Sequence, residues 1–146
     1  MAVVTKKTTI KTMVEGDIID ITEQTSKAIE ESNMEDGIVN LFVPGSTAAI
    51  TTMEYEPGLK QDFPRALCRI VPKKIEYEHD NTWHDGNGHS HIRASLIGPS
   101  LTIPFKGGNL LLGTWQQIVL LELDIKARER DIIFQIIGDE KHKREV

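Results

Sequence analysis

The sequence predicts an α+β fold, a compact single domain of mostly antiparallel β-sheets with two helices. Strand-like segments dominate the chain. The two segments with helical spacing both fall in its first half. Glycine and proline turns divide the later apolar runs, and one of them, Gly107-Gly108, is a hairpin signal. At 146 residues the chain has the length of one domain and needs no disulfide to support a core.

Val4, Thr8, Ile10 and Thr12 recur at a period near two, which predicts a strand from about Val3 to Met13. Ile18, Ile21, Thr25, Ala28 and Ile29 then recur at helical spacing, with Asp17 as the expected N-cap. Asn33 and the Asp36-Gly37 pair supply turn chemistry to end that helix. Ile38 to Val43 reads as a buried strand closed by Pro44-Gly45, and Ala48 to Met53 as another strand. A second helix is predicted over Asp62 to Ile70. Asp62 would cap it, Pro64 fits its first turn, and Phe63, Ala66, Leu67 and Ile70 share a face. Pro72 stops it, and Cys68 reads as packing on the apolar side. His89 to Leu96, Leu101 to Phe105, Leu110 to Asp124 and Asp131 to Ile137 are predicted strands. Gly98-Pro99, Lys106-Gly107-Gly108 and a charged turn at Lys126 to Arg130 separate them. One domain spans 1–146, with the charged tail 139–146 expected to fray.

Composition narrows the function classes. Seventeen Lys and Arg against 22 Asp and Glu leave a formal net charge of −5. That disfavours a nucleic-acid surface, which must neutralise phosphates. A local basic pocket for a small phosphate stays open. The single cysteine, Cys68, rules out an internal disulfide framework and suits a reducing compartment, so the expected location is cytoplasmic. MAVVTKKTTI lacks an apolar core of signal-peptide length, and no apolar run is long enough to span a membrane.

Four of the five histidines, His79, His84, His89 and His91, fall within thirteen positions. On a strand, His89 and His91 would point to one face and share one ion. His79 or His84 would supply a third ligand, with Asp80 and Asp85 as further ligands or as groups that fix an imidazole tautomer. The ion best suited to imidazole is zinc or a similar divalent metal. The competing reading is a polar active-site loop whose histidines bind no metal. Asp85-Gly86-Asn87-Gly88 is either a plain turn or a loop bringing backbone N–H groups, at Asn87 and Gly88, to a ligand. Gly45-Ser46-Thr47-Ala48-Ala49 follows a strand, and the hydroxyls of Ser46 and Thr47 suit a phosphate or an oxyanion. A structural turn is the other reading, and the lysine of a P-loop is missing.

Glu54 is either a site carboxylate or a solvated strand end. Arg93 shares His91's strand face and is either a phosphate clamp or a surface ion-pair partner. Ser95, Trp115, Gln116 and Gln117 interrupt apolar strands. Trp115 reads as core or pocket wall, and one of the two glutamines would face a pocket or a subunit boundary.

Four segments in this order, GSTAAI, EYEHD, SHIRASLIGPSLTIPF and LGTWQQIVLLELD, closely resemble the YjbQ-like family. It is also called the secondary thiamine-phosphate synthase enzyme family. The resemblance runs from about Thr5 to Gly138. It implies a compact α+β domain assembled as a homotrimer. The implied pocket lies where EHD, SHIRAS and the TAAI loop converge. The implied activity joins a hydroxymethylpyrimidine diphosphate to a thiazole phosphate and releases diphosphate. His79 and Asp80 match the family's His-Asp pair, and His91 matches the His before the Lys/Arg-x-Ser strand. Arg93 and Ser95 match that strand, and Trp115 and Gln116 match Gly-Thr-Trp-Gln. Many members carry a His where this chain has Gly45. His84 and His89 are the residues here that would compensate.

Three functions follow. The first is a thiamine-phosphate synthase-type transferase, in which Zn²⁺ or Mg²⁺, Arg93 and backbone N–H groups stabilise departing diphosphate. His79, His89 and His91 would hold the metal. The second is a metal-assisted hydrolase of a small phosphate ester, with Asp85 or Glu54 as base. The third is a non-catalytic trimer that binds a metabolite or metal. None of the three calls for nucleic acid or a membrane.

Overall fold

Strict in–out alternation runs along the strand Ala2–Lys11, β1, because its β-branched residues recur every second position. It pairs antiparallel along its whole length with β8, Glu129–Glu140. The computed structural model describes residues 1–142. On the other side of β8 lie β3, Met34–Phe42, then β5, Ser100–Lys106, and β6, Asn109–Leu110. These form a five-stranded sheet in the order β1-β8-β3-β5-β6. A second sheet of three strands has the order β2-β7-β4, from Ile18–Asp20, Gln117–Glu122 and Ala48–Met53. Every pairing in both sheets is antiparallel. Four helices complete the described chain: α1, Thr22–Ser32; α2, Pro57–Ile70; α3, Glu78–Trp83; and α4, Gly88–Ile97.

The small sheet is buried on both faces. Ala48, Ile50, Ile118 and Leu120 join the main core with Ile29, Val39, Leu41 and Phe134. The alternate residues Ala49, Val119, Leu121 and Leu123 form a second core with Leu67 of α2 and Ala94 of α4. That double burial explains the unbroken apolar run IVLLEL, since a strand covered on both sides cannot alternate. Phe134 is essentially fully buried, and such a side chain contributes about 2 kcal/mol.

The predicted strands at Ile38–Val43, Ala48–Met53, Leu101–Phe105 and Asp131–Ile137 all lie on observed strands, with ends shifted by a few residues. Gly107 and Gly108 have φ of +59° and +76° and join β5 to β6 as a two-residue hairpin loop.

Several boundaries differ from the sequence reading. Asp17 is not a helix cap: its carboxylate accepts from the Met13 and Val14 N–H groups and closes a turn. Ile18 and Ile19 pair with Leu121 and Leu120, so the ladder claims the segment that the helical pattern had claimed. Helix α1 then runs Thr22–Ser32 and is ended, as expected, by Asn33, which is left-handed. Asp36-Gly37 lies inside β3, at an irregularity in its pairing with β8, rather than in the turn. Helix α2 begins at Pro57, before Asp62. Glu56 caps it by accepting from Gly58 and Leu59, so Pro64 sits inside the helix. Cys68 and Ile70 are exposed, because the inward face follows Phe63 and Leu67.

The largest difference is at His89–Leu96. It is helical, so the chain has four helices instead of two. The predicted strand Leu110–Asp124 is broken by a turn in which Gln116 N–H donates to Gly113 O. Asp139 and Glu140 are paired within β8 rather than frayed, and Lys141 N–H donates to Asn33 O. The rest of the expected frayed tail, 143–146, lies outside the described residues.

Candidate functional site

Helix α3, the loop His84–Asn87 and the start of α4 bring two of the four clustered histidines together. His79 and His91 face one another with ring centroids 4.3 Å apart. His79 Nε2 lies 3.4 Å from Asp85 Oδ1. The amide of Asn87 stands between this group and Asp124. With its nitrogen toward the cluster it donates to Asp85 at 2.9 and 3.2 Å and to His79 Nε2 at 3.0 Å. Turned the other way, its nitrogen reaches Asp124 Oδ1 at 3.4 Å and its oxygen faces carboxylate oxygens. The first orientation satisfies the cluster.

His91 also borders a cavity of about 170 Å³, with Gly45, Ser46, Ala48, Ser95 and Pro99. The Ser95 hydroxyl donates to His91 O. The EHD segment, the SHIRAS helix and the start of the TAAI loop therefore meet at one place. Larger open grooves of about 610 and 510 Å³ lie elsewhere, beside the β5–β6 hairpin and at the Met1 end. Neither adjoins the histidine cluster.

The remaining candidates take other roles. His89 is 0% exposed, and its Nε2 meets Glu15 Oε1 at 2.5 Å, while Lys73 binds the other oxygen of Glu15 at 2.7 Å. Burial pushes the Glu15 carboxyl up, but hydrogen bonds from Lys73 and His89 outweigh it and hold the pKa below its ordinary value. Two positions apart on a helix, His89 and His91 point in different directions, so the expected shared strand face does not exist. His84 is exposed at the left-handed end of α3. Asp80 accepts from Gly88 N–H, so that group is not offered to a substrate. A Cβ on Gly88 would come within 2.6 Å of Tyr77, which makes the glycine a packing requirement.

Arg93 is buried, and its Nε and Nη2 both donate to Val71 O at the end of α2. These two nitrogens are engaged at a helix terminus, and Arg93 does not line the cavity beside His91. Thr47 is buried as well: its hydroxyl donates to Asp124 and accepts from Arg130. Ser46 remains exposed beside the cavity. Glu54, Trp115 and Gln116 lie at the far end of the small sheet, where Gln116 bonds Thr52. That is one six-residue strand, roughly 20 Å, from Ala48. Trp115 is 73% exposed, so it is neither core nor wall of this cavity.

A protein-held zinc ion needs three or four converging donors. Among the described residues no group of three or more His, Cys, Asp or Glu side chains is placed to hold a metal. The expected set His79, His89 and His91 is divided by the helix, so these three side chains do not converge on one point.

The sequence reading missed a buried ionic network next to the cavity. Arg130 makes two hydrogen bonds to Glu122, at 3.0 and 2.6 Å, and Thr12 donates to the same carboxylate. Arg128 pairs with Asp124 at 2.7 Å. Burial raises the Asp124 pKa, but bonds from Ile125 N–H, Arg128 and Thr47 outweigh it and hold it below its ordinary value. The available signal was Glu122 and Asp124 within IVLLELD: acids in an otherwise apolar run must be buried and paired.

The fold and this site define a class: an antiparallel α+β domain with a histidine cluster beside a small cavity. Residues 6–139 match the family model described as UPF0047 protein YjbQ-like. The chain belongs to this family. A UPF0047 protein of Methanocaldococcus jannaschii is 41% identical over 131 residues, covering 89% of this chain and 91% of that one. One from Archaeoglobus fulgidus is 38% identical, covering 86% of this chain and 95% of the relative. A crystal structure of a YbjQ-like protein of unknown function from Sulfolobus solfataricus superposes with a TM-score of 0.87 at 32% identity. It covers 94% of this chain and 99% of its own.

Proposed function

We propose that this chain is an enzyme acting on a small phosphorylated metabolite, and that its reaction is the thiamine-phosphate synthase condensation. The supporting observation is the His79–His91 pair, with Asp85 and Asn87 in reach, beside a cavity rimmed by small and hydroxyl residues. In that reaction the thiazole nitrogen attacks the pyrimidine methylene carbon. The carbon–oxygen bond breaks and diphosphate leaves with the electron pair. No proton need leave either substrate, so the protein's task is to stabilise charge on the departing oxygens. A ring N–H of His91 donates to those oxygens, while Asn87 donates to His79 Nε2 and holds that ring beside Asp85. Mg²⁺ would enter with the diphosphate, held chiefly by its oxygens.

The cavity is smaller than the roughly 300 Å³ at which ligand sites begin, so one chain does not enclose both substrates. A homotrimer, in which a neighbouring copy completes the wall, fits this reading. The same small volume favours a second reading, hydrolysis of a small phosphate ester.

The deciding measurement supplies the purified chain with the pyrimidine diphosphate, the thiazole phosphate and Mg²⁺ or Zn²⁺. Thiamine phosphate is read by fluorescence after oxidation. The expected outcome is product from the wild type and at least about a hundredfold less from His91→Ala, the usual size of a positioned acid–base contribution. Product formed equally by His91→Ala would overturn the site. Release of inorganic phosphate from a single substrate, with no condensation, would favour hydrolysis.

A further inference from the structure

We propose that Arg130 and the Gly45–Thr47 loop form an oxyanion subsite that takes the terminal phosphoryl group of a phosphate monoester or diphosphate. This rests on the reading above, because Gly45 and Ser46 border the same cavity as His91.

The Arg130 guanidinium is held rigidly. Its Nε and Nη2 are committed to Glu122 and Thr47. These bonds fix the plane of the group and leave one nitrogen, Nη1, with no acceptor among the described residues. The Arg130 side chain is more than nine-tenths buried. Yet Nη1 is not among the fully buried polar atoms that lack a partner, which are His89 Nδ1 and Ser90 Oγ. It reaches the surface beside Gly45. A Cβ built on Gly45 would lie 3.0 Å from Nη1, and beyond the adjoining Pro44 and Ser46 no other residue comes within 4 Å of it. The glycine therefore leaves a gap over a fixed cationic donor. Its φ of +130° is one that residues with side chains rarely adopt.

The loop adds donors of its own. The N–H groups of Ser46 and Thr47 have no acceptor among the described residues, and the Ser46 hydroxyl is exposed and has no partner among them. One fixed guanidinium nitrogen, one hydroxyl and two backbone N–H groups suit the several oxygens of a phosphoryl group. Arg128 and Arg130 are offset by Glu122 and Asp124, so the local charge sums to zero. Binding then depends on directed hydrogen bonds rather than on a broad positive field. The subsite favours an oxyanion of the right shape over anions in general.

Calorimetric titration of the full chain with inorganic phosphate and with diphosphate tests this. Wild type should bind diphosphate saturably, more tightly than sulfate or acetate. Arg130→Lys keeps a charge for Glu122 but loses Nη1, and Gly45→Ala covers it. Each should weaken binding by about tenfold, the worth of one charge-assisted hydrogen bond. Ser46→Ala, which touches only an exposed hydroxyl, should weaken it about threefold with an unchanged melting temperature, so the test survives if either of the others fails to fold. No saturable binding to wild type overturns the subsite. Binding lost in His91→Ala but unchanged in all three loop and arginine variants overturns the subsite and leaves the synthase reading standing. Binding that depends on these residues, with no thiamine phosphate formed, supports the subsite and overturns the synthase reading.

Discussion

Glu15 and Asp124 are carboxylates held in partly or fully buried ion pairs, and both have pKa values below their ordinary ones. The unfolded chain has ordinary carboxylates, which take up protons at higher pH, around 4. As pH falls through that range the unfolded state binds more protons than the folded one. The stability these groups contribute is therefore present above the ordinary carboxylate range and lost below it, toward the lowered folded values. Urea midpoints measured at pH 7, 5 and 3 should fall with acid in the wild type. Asp124→Asn and Glu15→Gln should lower the midpoint at pH 7 and each flatten the acid dependence. An unchanged slope in both variants would show that the acid sensitivity arises elsewhere.

Within the elements, close backbone approach and helix ends carry the sharpest expectations. Gly37 and Gly138 are partners across β3 and β8. A Cβ on Gly37 would sit 2.1 Å from Ile137 O, and one on Gly138 would sit 2.1 Å from Asp36 O. Both contacts are to backbone that the ladder holds in place. Alanine at either position should cost about 3 kcal/mol or more, on the order of 10 °C in melting temperature. An unaltered melt would mean the ladder shifts freely there. Arg93→Ala leaves the Val71 carbonyl without its guanidinium donors at the end of α2, a loss of about 1–3 kcal/mol. Diphosphate affinity should stay within about twofold of wild type, since Arg93 does not line the cavity beside His91. A large loss of affinity with an unchanged melt would restore Arg93 as a phosphate ligand.

At the scale of the molecule, the outer face of the five-stranded sheet is uncovered in one chain. Register places Val3, Ile137, Ile38 and Pro104 in one row across four strands. Ile133 and Phe42 adjoin in a second row, with Gln135 and Asn40 between. Val3, Ile38 and Phe42 are all at least 40% exposed. Contiguous apolar area of this kind is a usual mark of a protein–protein contact. The homotrimer proposed above would bury this face. Light scattering at micromolar concentration should give three chain masses for the wild type, and Ile38→Lys should give one while keeping its secondary structure. A monomeric wild type would remove the trimer from the reading.

Most of the long strands, the Gly-Gly hairpin and the family were legible in the sequence. Period-two patterns, a Gly-Gly loop and unbroken apolar runs depend on local chemistry, and each is read without knowing its neighbours. Helix α4 was illegible because its buried residues, His89, Ser90, Arg93 and Ala94, are mostly polar. No apolar periodicity marks it, and two histidines at a spacing of two suggested a strand. Segment 18–20 failed for the opposite reason: an intrinsic helical pattern gave way to pairing with β7. In the site, His79, Asp85, Asn87 and His91 were found as a cluster on sequence proximity, since they lie within thirteen positions. Arg130 lies 85 residues from Gly45, and only the folding of β8 beside that loop brings them together. Which histidines meet, and which arginine lies beside the Gly45 loop, were decided by the tertiary structure. Long-range pairing and the direction of a side chain on its element leave no local mark in the chain.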